Sequence, residues 1–139
     1  MMLRHPFLNE EFEAELMWFI GVFGVYDREE TLGAELEVYD PDNATDRAVL
    51  INKYSLNLNY LSYRHKFVLI EALAEKLSDQ SYDFQSLFGI DEEEAASWPR
   101  GEWYELKDPR GFLQDVYTLA LEAWESDLHK ASLEDQSTW

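Results

Sequence analysis

Cysteine is absent from the 139-residue sequence, so no disulfide, thiolate metal site or cysteine nucleophile can be built, and a reducing compartment suits the chain. Bases are scarce: 11 lysines and arginines face 29 aspartates and glutamates, leaving a net charge of −18. A field of that sign repels phosphate backbones and anionic membrane surfaces, so neither nucleic acid nor membrane is expected as a partner. Long apolar runs are missing as well. The longest, Leu16 to Tyr26, is interrupted by Gly21 and Gly24 and falls short of the ~20 residues that a membrane span needs. Glu10, Glu11, Glu13 and Glu15 precede it where an export signal would carry positive charge, so a cytoplasmic location is expected.

Catalytic motifs are equally scarce. The chain holds no phosphate-cradling glycine loop and no Gly-x-Ser-x-Gly elbow. His5 and His65 stand in polar or basic surroundings that a solvated or locally paired imidazole explains. Glu122, Glu125 and His129 could share a helix face, but di-iron bundles need two facing Glu-x-x-His units and no second copy occurs. Asp40-Pro41-Asp42 opens like a calcium loop, then places Thr45 where glycine is required and Ile51 where a glutamate chelates. Neither metal, cofactor nor enzymatic activity is expected.

What is present is a core. Hydrophobic residues make up 46% of the chain and aromatics 15%, which argues against disorder in spite of the charge. The length suits one domain. Residues 1–131 read as a single acidic globular domain and 132–139 as a polar tail expected to fray. Charge is uneven: −10 over residues 1–46, +3 over 47–76 and −11 over 77–139, which suggests a central element wrapped by acidic outer layers.

Periodicity predicts helices. With Asn9 as cap, Phe12, Leu16, Phe19, Ile20 and Phe23 recur at helical spacing up to Gly24. Asp27 and Glu30 form a capping pair before Leu32, Leu36 and Tyr39, although Ala34, Leu36 and Val38 also alternate as in a strand. Residues 48–61 carry both patterns, with helix preferred and Asn43 and Asp46 as a weaker capping pair. Phe67 to Leu77 reads as a helix, Tyr82 to Phe88 as a short one, and Asp91 to Ala96 as a further turn. Asp108-Pro109 starts a last helix towards Lys130. The expected fold is therefore an all-α compact bundle of five or six helices. The alternative is an α+β arrangement with a short hairpin around residues 34–60.

One segment has the composition of a contact surface. Asp91, Glu92, Glu93 and Glu94 are followed by Trp98, Trp103 and Tyr104, with Pro-Arg-Gly turns at 99–101 and 109–111. Acids steer and large aromatics anchor, so these seven residues are the expected partner-binding site; the competing reading tucks the aromatics onto the core. The function expected is a non-enzymatic inhibitor of a basic partner, in the form of a bacterial immunity protein against a toxin such as a nuclease. A nucleic-acid mimic and an acidic secretion chaperone or adaptor are the alternatives, and a homodimer stays compatible with the sequence.

Overall fold

The computed structural model describes residues 3–25, 28–88, 98–99 and 101–139. Among these residues there is no strand. Six α-helices, α1 Met17–Ile20, α2 Ala34–Leu36, α3 Ala44–Leu50, α4 Tyr63–Ser78, α5 Pro109–Ala123 and α6 Glu125–Ser132, are joined by 3-10 and π turns. The chain is an all-α bundle, and the hairpin around 34–60 does not form.

α4 is the longest helix and packs against both α5 and α6. It starts four residues ahead of the apolar repeat because Ser62 and His65 make a capping box, the Ser62 hydroxyl accepting from His65 N and the His65 ring accepting from Ser62 N. α5 begins where its local chemistry says it should. Pro109 stands at the first turn and the Asp108 carboxylate accepts from Gly111 N at 2.9 Å. A Cβ on Gly111 would collide with that carboxylate, so only glycine leaves the cap its place. Arg110 then reaches back to the end of α4, donating to the Leu77 carbonyl at 3.0 Å and the Asp79 carbonyl at 2.8 Å.

Four expectations need correction. The helix from Asn9 does not form: residues 3–12 fold into a loop closed by His5 N to the Glu10 carbonyl and Phe12 N to the Leu3 carbonyl, and α1 starts at Met17. A helix there would stack Glu11 over Glu15, a repulsive spacing. The ambiguous 48–61 segment is helical through Ser55, the last part as a π turn, after which Leu56, Leu58 and Leu61 are buried from irregular backbone. Asn43 alone caps it, accepting from Thr45 N and Asp46 N. The last helix breaks at Trp124, whose indole turns inward to donate to the Leu56 carbonyl at 3.2 Å and to stack on Phe19. The C-terminal tail is docked: Trp139 is 4% exposed, its ring edge-on to Phe67 and its N–H donating to Glu134 at 3.1 Å. The capping pair drawn from Asp27 lies outside the described residues.

The helices are fastened by one recurring arrangement. Every ion pair among the described residues places its cation over an aromatic ring at the same time. Arg47 pairs with Asp115 over Phe112, and Lys53 pairs with Glu35 over Tyr54. Arg64 pairs with Glu134 over Tyr63 and Trp139, and Lys66 pairs with Asp127 over Trp124. A ring face restricts the long side chain and adds cation–π attraction to each ion pair.

Candidate functional site

The two tryptophans expected to anchor a partner are core residues. Trp103 is fully buried in an aromatic knot, its ring centroid 4.8 Å from Phe23 and 5.9 Å from both Phe88 and Phe112. Trp98 is 7% exposed and stacks on Trp103 at 6.4 Å. Tyr104 is half-buried, its hydroxyl accepting from Trp98 N at 3.2 Å. Gln85 holds the backbone beside them, donating to the Trp103 and Tyr104 carbonyls and accepting from Leu106 N. Neither indole is presented to a partner, because the burial that a knot of five large rings provides outweighs their exposure on a loop. Asp91, Glu92, Glu93 and Glu94 lie outside the described residues.

A different surface has the required shape. The N-terminal loop, α1 and Tyr60 enclose an open cleft of about 720 Å³. It is lined by Glu10, Glu11, Glu13 and Glu15 together with Met17, Trp18 and Tyr60. A smaller groove of about 370 Å³ shares Glu15 and Met17 with it and extends to Lys76 and Tyr82.

The loop that forms one wall is pinned by two histidines. The His5 Nδ1 accepts from Phe7 N and Leu8 N at 3.1 Å each, so its proton sits on Nε2. The His65 Nε2 lies 2.7 Å from the Arg4 carbonyl and donates to it, while Nδ1 accepts from Ser62. Aromatic contacts continue the seam. Trp18 stands 5.3 Å from both His5 and Phe12 and 6.1 Å from Tyr60, and Phe7 stands 5.1 Å from Tyr60. The Trp18 indole N–H is satisfied by the Glu13 carbonyl at 3.0 Å, which leaves the ring to act through its face and edge.

Phe7 is 68% exposed and Tyr60 43%, with Leu8 and Met17 exposed beside them. Burial raises the Tyr60 phenol above its ordinary value, so it stays neutral. These exposed apolar side chains adjoin a cleft lined by acids, an arrangement of the kind that interaction surfaces show. The sequence alone does not reveal it: Glu10, Glu11, Glu13 and Glu15 read there only as an acidic stretch before an apolar run, and nothing local says that Tyr60 stands beside Trp18.

Among the described residues no three histidine, aspartate or glutamate side chains converge as metal ligands, and the break at Trp124 takes Glu122 off the helix that carries Glu125 and His129. No described helix is long and apolar enough to cross a membrane. No family model, no curated protein and no solved structure shows a significant match to this chain.

Proposed function

We propose that the chain is a non-enzymatic binding protein that captures and neutralises a basic protein, as a bacterial immunity protein covers the active site of a toxin such as a nuclease. The observation that carries this reading is the cleft: four glutamates line it together with Trp18 and the exposed Tyr60, on a chain of net charge −18. Aromatics supply contact area and the field speeds encounter with a positive partner, above all one whose own site is built to hold phosphates.

Capture from a native lysate, followed by kinetics on the captured protein, tests the reading. One basic partner is expected, bound one to one, its activity blocked in proportion and the block unaffected by excess chelator. Its association rate should fall several-fold between about 0.05 and 0.3 M salt while dissociation changes little. Rates flat across that range, or turnover at substoichiometric amounts, would overturn it. Recovery of many unrelated DNA-binding proteins would point instead to nucleic-acid mimicry.

A further inference from the structure

All four ion pairs among the described residues have three members: a carboxylate, a cation, and an aromatic ring beneath the cation. The cleft repeats two of the three. Glu10, Glu13, Trp18 and Tyr60 line the same cleft, and among the described residues no lysine or arginine lies over either ring or pairs with either carboxylate. Arg4 belongs to the same loop, yet it meets Glu11 only through the backbone and its side chain does not line the cleft.

We infer that the cleft is the seat of a cationic side chain from the partner, an arginine or lysine that lies on Trp18 and Tyr60 and is held by the carboxylates of Glu10 and Glu13. This rests on the reading of the chain as a binder of a basic protein and names where and how that protein is gripped. Three observations favour it. The occupant must be positive, because four glutamates line the cleft and the field of the whole chain adds to theirs. It must be slender and partly apolar, because Trp18, Tyr60 and Met17 also line the cleft and suit the methylene stem of a lysine or arginine. And the chain itself settles such cations over rings at centroid distances of 4.2 to 5.8 Å, the geometry in which cation–π attraction acts.

The inference separates cleanly from the reading it rests on when the probe is a short peptide. A lysine- and arginine-rich peptide is titrated into the full chain by calorimetry, beside its counterpart with every arginine replaced by citrulline and every lysine by norleucine. The basic peptide is expected to bind and the neutral one to lose at least tenfold in affinity. In the E10Q/E13Q variant the basic peptide should weaken about tenfold, and in Tyr60→Leu several-fold, with melting curves of both variants matching the parent. Trp18→Phe serves where Tyr60→Leu melts early, since it keeps a ring on Phe12. Binding that is retained in both folded variants places the grip elsewhere and overturns the inference while the basic-partner reading stands. Failure of the parent chain to bind the basic peptide at all, at low salt, overturns both.

Discussion

Arg47 and Asp115 meet at 3.3 Å across α3 and α5, and the same guanidinium donates through Nε to the Pro41 carbonyl at 3.1 Å. Their environments differ: Arg47 is buried, whereas the Asp115 side chain is 44% exposed. Removing the arginine therefore strands a buried carbonyl and empties space above Phe112, while removing the carboxylate leaves an arginine that keeps its other partners. Arg47→Ala should cost about 2–4 kcal/mol and Asp115→Asn about 1 kcal/mol or less, read by urea unfolding. Equal losses in the two variants would show that the ion pair itself dominates.

Trp103 is a stability residue. Trp103→Ala should lower stability by about 3–5 kcal/mol through the cavity left among Phe23, Phe88 and Phe112. Its indole N–H has no acceptor among the described residues, so Trp103→Phe gives up ring volume without giving up a hydrogen bond and should cost clearly less. Thermal melts beside partner-binding assays decide the matter. An alanine variant that melts like the parent but dissociates faster would return this ring to the interface.

Ser55 joins the π turn after α3 to the first helix, its hydroxyl donating to the Phe19 carbonyl at 2.8 Å in a fully buried setting. Ser55→Ala leaves that carbonyl unpaired away from water and should cost about 1–2 kcal/mol. A neutral effect in chemical denaturation would mean that the Phe19 carbonyl finds a substitute donor.

Acid should loosen the C-terminal clasp through Glu134. Hydrogen bonding by Tyr63, followed by Arg64, holds this carboxyl below its ordinary range, and Trp139 adds to the effect. A carboxyl depressed in the folded state contributes stability that is fully present above its unfolded value, about 4.3, and is lost as pH falls through the folded value. Trp139 emission should accordingly shift to the red on acidification below about pH 4, and Glu134→Gln should show much of that shift already at neutral pH. Identical profiles for parent and variant would sink this account.

Legibility in the sequence followed the range of the interactions involved. Asp108, Pro109 and Gly111 lie within one turn of each other, so the start of α5 could be read directly. The helical class could be read too, because Leu69, Ile70, Leu73, Phe112, Val116 and Ala120 recur at helical spacing in α4 and α5. The break at Trp124 could not, since its cause is the Leu56 carbonyl 68 residues away. The cleft could not either: its wall is tied down by His65 through the Arg4 carbonyl, 61 residues apart. The aromatic segment around Trp103 misled for the same reason. Its composition suits an interface and a core equally well, and only Phe23, Phe88 and Phe112 arriving from three other elements decide between them.

The pairing of cations with rings also sets how the chain meets amine-modifying reagents. Lys53, Lys66, Lys76 and Lys130 each have the ammonium over an aromatic ring, whereas Lys107 is exposed and has no such ring among the described residues. Acetylation should reach Lys107 first and Lys66 last, because the Lys66 side chain is 14% exposed and held between Trp124 and Asp127. Charge removed at Lys107 deepens the negative field and leaves the helices joined. Charge removed at Lys66 unfastens α4 from α6. Light acylation would thus tune the attraction for a basic partner, and heavy acylation would dismantle the scaffold that presents it.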